Sequence, residues 1–218
     1  MPGNRIAQQA NTQTLKVLMS AGKRLDIAEE DQWRMLTYRL LARLLAAAPD
    51  QSVLDQLQAV DIQKPETDLS KAWHTLGKTA AQTKLTQVEQ EYNALFIGFC
   101  SGEVVPYASR YRTGFLMEKP LARLRQDLIE YNIQRQHSVY EPEDHIAAVF
   151  EAMSLLIESG GRQQWTFFSR HIQPWSYALF TDLQHAASAQ FYLPVSQLGR
   201  AFIELETTLS TIEHNSWN

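Results

Sequence analysis

An all-α fold follows from three features of this 218-residue sequence. Apolar residues recur at spacings of three and four over most of its length. No segment joins strict alternation to β-branched enrichment and hairpin turn dipeptides. Proline and glycine stop the periodic stretches where helices of ordinary length would end, as at Pro49 and Gly160-Gly161.

The elements can be taken in order. Trp33, Leu36, Leu40, Leu41, Leu44 and Leu45 predict a helix from Asp31 to Pro49, with Glu29, Glu30 and Asp31 placing negative charge at its positive end. A weaker helix covers about 52–60. A polar loop, Lys64-Pro65-Glu66-Thr67-Asp68, precedes a helix with Leu69, Trp73 and Leu76. Over 84–98, Leu85, Val88, Tyr92, Leu95 and Phe96 make one apolar face. The stretch 98–114 has no helical period and reads as a structured loop. A helix through Leu121, Leu124, Leu128 and Tyr131 follows.

Ser138 and Glu141 have capping-box spacing, which predicts a helix start at 138–142. Ile146, Val149, Phe150, Met153 and Ile157 give that helix its apolar stripe. Two last series run from Trp165 through Phe168, Ile172 and Trp175 to Leu179, and from Phe191 through Val195, Leu198, Phe202 and Leu205 to Leu209. Pro174 and Pro194 are expected to kink or split them. The total is about eight to twelve helices at the usual mean length. No repeat and no linker marks a domain cut. Residues 31–218 are therefore expected to form one helical domain behind an N-terminal extension, 1–30, that is an arm or accessory helix around Lys16, Lys23 and Arg24.

Composition narrows the function. A net charge of −4 excludes a strongly basic nucleic-acid-binding protein, and 44% apolar with 20% charged residues is ordinary for a globular chain. The single cysteine, Cys100, excludes an intrachain disulfide and points to a reducing cytoplasm. No run approaches the roughly 20 apolar residues that span a bilayer, and the first thirty residues lack a signal-peptide core.

Enzyme readings are weak. Gly77-Lys78-Thr79 resembles the end of a phosphate-binding loop, but Ala72 stands where such a loop needs its first glycine. The six histidines include no pair four apart, so no catalytic metal and no cofactor is expected. Cys100 has no neighbour that would activate it, and Glu103 would oppose its thiolate.

One cluster stands out, Glu141-Pro142-Glu143-Asp144-His145. It fits two readings. The first is a capped helix N-terminus with Pro142 in the first turn. The second is a polar binding site in which Glu141 and Asp144, three apart on one helix face, hold one or two guanidinium groups. Between 138 and 159 there are five acidic residues and no Lys or Arg. Used as an acid–base pair, Asp144 and His145 would make a hydrolytic or nucleotide-dependent enzyme, but adjacent helical residues point about 100° apart. A purely structural interaction module is the third alternative.

Glu91-Tyr92-Asn93-Ala94-Leu95-Phe96, then Pro106-Tyr107-Ala108-Ser109 and Glu141-Pro142-Glu143-Asp144-His145, resembles the TorD/DmsD/NarJ family of redox-enzyme maturation chaperones. That family pairs an aromatic residue, two variable residues and Leu-Phe with a later Glu-Pro-x-Asp-His, and both appear here in order. The segment from Trp165 through His171, Pro174-Trp175 and Phe191-Tyr192 to Phe202 and Glu206 also looks like the family's end, so the resemblance covers about 31–209. It implies an all-helical cytoplasmic chaperone, not an enzyme, that binds the twin-arginine signal peptide of a molybdenum-cofactor oxidoreductase of anaerobic respiration and assists its maturation before export. By resemblance, Tyr92, Leu95, Phe96, Pro106 and Tyr107 would line the peptide groove, with Glu141, Asp144 and His145 at its polar end. For Tyr92, Leu95 and Phe96, core packing is the competing reading. The implied partners are the signal peptide and the apo-enzyme, with no nucleic acid and no stable membrane insertion. Monomer and domain-swapped dimer both stay open.

Overall fold

The computed structural model describes residues 27–60, 62–98, 101–136 and 140–215, and these are helical without a named strand. Ten α-helices and two π-helical turns follow one another. They are α1 (Ile27–Ala46), α2 (Gln51–Gln58), α3 (Asp68–Gln82), α4 (Leu85–Tyr92) with π1 (Asn93–Ile97), α5 (Ala108–Thr113), α6 (Lys119–Glu130), α7 (Ile146–Glu158), α8 (Gln163–Phe167) with π2 (Phe168–Ile172), α9 (Ser176–His185) and α10 (Tyr192–Asn215). The N-terminal extension up to residue 26, Cys100 and Ser138 lie outside the described residues.

Helix α1 packs on α7 at the centre, and α10 packs on α3 and α9. Tyr38 joins these layers. Its buried ring meets Phe150 of α7 at 5.2 Å and Phe202 of α10 at 4.7 Å, both edge to face, the geometry that aromatic quadrupoles favour. A polar node lies inside the same core. Arg34, 1% exposed, spans both carboxylate oxygens of the fully buried Glu206 at 2.6 and 2.9 Å. It also donates to Asp31 and Gln164, while the Tyr38 hydroxyl donates to Glu206 at 2.9 Å. A buried carboxylate persists only when an opposite charge and further donors replace its water, and here they do.

Four expectations need correction. First, α5 breaks the predicted loop over 98–114. Six residues are too few to show a helical period, and this helix takes its start from another segment. Second, α7 begins at Ile146, so the acidic cluster precedes the helix instead of forming its first turn, and Glu141 and Asp144 do not share a helix face. Third, Pro194 neither kinks nor splits α10, because it stands in the first turn, where a missing N–H forfeits no intrahelical bond. Fourth, α1 begins four residues earlier than the apolar pattern shows, at Ile27. Pro174, by contrast, does separate π2 from α9.

Gly77 belongs to packing. A side chain there would meet the Leu57 carbonyl oxygen at 3.0 Å and that of Val60 at 3.2 Å, so the glycine lets α2 lie close against α3.

Candidate functional site

Two segments distant in sequence meet at the starts of α5 and α7. Residues 106–108 run antiparallel to 144–146, with a single bridge between Tyr107 and His145. The Ala108 amide donates to the Asp144 carbonyl and the Ile146 amide donates to the Pro106 carbonyl, each at 2.9 Å. Ala108 and Ile146 are the first residues of their helices, where backbone N–H groups have no intrahelical acceptor. The bridge therefore satisfies one orphan amide on each helix at once.

Side chains complete the same task. The buried Asp144 carboxylate accepts from the Ser109 amide at 2.9 Å, capping α5 from across the bridge. His145 is the N-cap of α7, and its Nδ1 accepts from the Ala147 amide at 3.2 Å. Burial lowers the His145 pKa, against the pull of Glu141 and Asp144. The ring is neutral at pH 7, and its Nε2 carries the proton because Nδ1 is the acceptor. Asp144 and His145 thus each serve a backbone amide of a different helix, which removes the geometry of an acid–base pair.

Glu143 is also engaged. Its carboxylate takes Arg125 of α6 at 2.8 and 2.9 Å and lies 3.5 Å from Arg135, whose Nη1 also donates to the Glu141 carbonyl at 2.9 Å. Burial pushes the Glu143 carboxyl up, but its own backbone amide and the two arginines outweigh that and hold it below the ordinary glutamate value. The guanidinium-holding carboxylate of this cluster is thus Glu143, not the Glu141 and Asp144 pair expected from sequence, and both of its guanidinium groups come from the chain itself.

Glu141 differs. It is exposed, and its hydrogen-bond partner is the Tyr107 hydroxyl. Burial, followed by Glu141, raises the Tyr107 pKa, so the phenol stays protonated and donates. The Tyr107 ring meets the His145 ring edge to face at 5.1 Å. Tyr92, whose phenol is raised by burial and then by the charge of Glu141, stands near enough to feel the same carboxylate. The structure thus gathers Tyr107, Glu141 and His145, while the Tyr92 hydroxyl donates to the Leu45 carbonyl at 3.4 Å.

The other expected residues have different places. Leu95 is fully buried in the core and Pro106 is buried, so neither presents a side chain along an open groove. Phe96 is half-buried. It meets Tyr92 at 5.0 Å and Tyr192 at 5.3 Å, forming an aromatic wall with Tyr192 closing its inner side. Turn π1 carries part of this wall. Its Ala94 and Leu95 carbonyls accept from the Glu103 and Val104 amides instead of from helix neighbours.

Glu91 holds the wall in place and was not singled out for a role from sequence. Its carboxylate accepts from the amides of Gln190, Phe191 and Tyr192 at 2.8, 2.9 and 2.7 Å, at the start of α10. The only sequence signal was its position beside Tyr92 in the motif run. Among the described residues, no group of three or more His, Cys, Asp or Glu side chains is placed to hold a metal.

The family model for the nitrate reductase delta subunit matches residues 62–181. The chain belongs to this family, that of the TorD- and NarJ-type redox-enzyme maturation chaperones, which are not enzymes.

It is similar to the chaperone protein TorD of Shewanella piezotolerans, 24% identical over 208 residues, covering 85% of this chain and 96% of that one. It is also similar to TorD of Shewanella sp. strain MR-4, 27% identical over 193 residues, covering 78% of this chain and 90% of the other. A crystal structure from Archaeoglobus fulgidus, described as that of a redox enzyme maturation protein, shares the fold. Its TM-score is 0.53 at 20% identity, over 78% of this chain and 93% of that one. No helix among the described residues is long and apolar enough to cross a membrane.

Proposed function

We propose that this redox-enzyme maturation chaperone works in the cytoplasm, where it binds the twin-arginine signal peptide of a molybdenum-cofactor oxidoreductase and holds the apo-enzyme back from export until maturation is complete. Residues 31–218 act as one chaperone domain in this reading, with 1–30 an arm or accessory helix. The observation that carries it is the position of Glu141. It is the exposed carboxylate of a cluster whose other two acids are engaged inside the chain, and it is bonded to Tyr107, whose ring meets His145.

A twin-arginine peptide presents two adjacent cations followed by an apolar stretch. Glu141 offers a charge-assisted acceptor for a guanidinium group, and the rings of Tyr92, Phe96 and Tyr107 offer apolar and cation–π surface. Asp144 and His145 contribute by fixing the two loops that carry Tyr107 and Glu141.

Calorimetry with a twin-arginine signal peptide tests this. Binding by the native chain, weakened about tenfold in Glu141→Gln with an unchanged melting temperature, is the expected result. Absence of heat at high micromolar protein would sink the proposal.

A further inference from the structure

The turn between α5 and α6 carries a surface that the peptide reading leaves unused. Phe115, Leu116 and Met117 are consecutive, and are 71%, 51% and 74% exposed. They do not hang from a loose loop. Gly114 and Met117 both have positive φ, 84° and 58°, which folds the turn tightly. The Gly114 amide donates to the Arg110 carbonyl at 3.0 Å, closing α5. The Thr113 hydroxyl bonds the Phe115 backbone, and the Glu118 amide donates to the Ser109 hydroxyl at 3.3 Å. A fixed apolar tip of this kind has no stabilising role within the fold, since none of the three side chains is buried.

Its flanks are cationic. Residues 110–123 hold Arg110, Arg112, Lys119 and Arg123 against the one acid Glu118, in a chain of net charge −4. Arg110 and Arg112 donate to backbone carbonyls, of Gly114 and Arg170, and neither forms an ion pair among the described residues. Lys119 and Arg123 form no ion pair with described residues. Arg112, Arg123 and Arg170 also line a cavity of about 520 Å³ between α6 and π2, with Asp127, Glu130 and His171 at its walls.

We infer that the α5–α6 turn is a peripheral docking surface for an anionic lipid bilayer. The three apolar side chains enter the interfacial region, and the surrounding Arg and Lys side chains meet lipid phosphates. Charge complementarity selects this occupant, because a rigid apolar tip flanked by cations is the pattern that inserts shallowly among negative headgroups. An apolar protein partner would need no such flanks. The surface lies beyond the C-terminus of α5, while the candidate peptide site lies at its N-terminus. The inference does not depend on the peptide reading.

Flotation of the full chain with two vesicle types tests it, one of pure phosphatidylcholine and one of phosphatidylcholine mixed with phosphatidylglycerol. Retention on the anionic vesicles alone, released by added sodium chloride, is expected. Phe115→Ser with Leu116→Ser and Met117→Asn should abolish retention and leave signal-peptide calorimetry unchanged. Lys119→Gln with Arg123→Gln, two exposed changes that keep the test open if the tip variant misfolds, should weaken it about fivefold per charge. Equal retention on both vesicles, none on either, or native retention by the charge variant overturns the inference. So does full competition by inorganic phosphate at matched ionic strength, since that would mark a free-anion cavity instead of a bilayer surface.

Discussion

Glu206 and Glu141 are both carboxylates that accept a tyrosine hydroxyl, from Tyr38 and from Tyr107, and they differ in what else the chain gives them. Glu206 is fully buried and spanned by the Arg34 guanidinium. Glu141 is exposed, and its carboxylate is met by no guanidinium among the described residues, since Arg135 reaches only its backbone carbonyl. A carboxylate removed from water must be matched by the fold itself, whereas one left in water can wait for a cation from outside. Glu143 stands between the two cases, partly buried and paired to Arg125 and Arg135. Acidic residues adjacent in sequence are therefore not equivalent as receptors, and each one's partner within the chain decides its role.

The sharpest way to break this comparison is Arg34→Met. It leaves Glu206 buried without its cation and should cost about 3–5 kcal/mol, read as a lowered urea midpoint. A loss of less than about 1 kcal/mol would show that the node is not the internally matched pair described. Next comes Asp144→Ala, which orphans the Ser109 amide. A cost of about 1–3 kcal/mol is expected in the same experiment, with peptide affinity in the folded protein affected less than by a change at Glu141. Glu141→Gln should do the reverse, changing stability by no more than about 0.5 kcal/mol while peptide affinity falls about tenfold. If stability falls and affinity does not, Glu141 belongs with Glu206 after all.

Smaller still is Glu143→Gln, whose exposed partners limit the loss to about 1 kcal/mol, shrinking further at high salt. Proton linkage gives the mildest test. Burial depresses the His145 pKa, so the unfolded chain binds that proton more readily, and stability present above about pH 6.5 is lost as the pH falls toward the folded-state value. His171, also lowered chiefly by burial, adds a contribution of the same sign. His145→Asn retains an acceptor for the Ala147 amide but cannot titrate. Its stability should decline less between pH 7 and about pH 5 than that of the native chain.

Much of the fold was legible because its helices are amphipathic over two turns or more. The stripe Ile146, Val149, Phe150, Met153 and Ile157 marks α7 well, and all five residues are buried. What was hidden is non-local. Helix α5 depends on Asp144, 35 residues from the amide it caps, and no local pattern records that bond. The Ser138–Glu141 spacing imitated a capping box, while the actual N-cap is His145, an uncommon cap made effective by its ring nitrogen. The acidic surplus over 138–159 was a property of the segment alone, since Arg125 and Arg135 come from just outside it. Arg34 gave no sign of burial either, because its partner Glu206 lies 172 residues away.

The Glu91 clamp also orders events in time. Its three bonds span 99 to 101 residues, and contacts of such separation are made late, after the local helices, because closing a long loop must precede any return from the contact. Tyr92 and Phe96 meet Tyr192 only once that closure is complete. A half-folded copy of this chain therefore lacks its aromatic wall, which exists only in the finished fold.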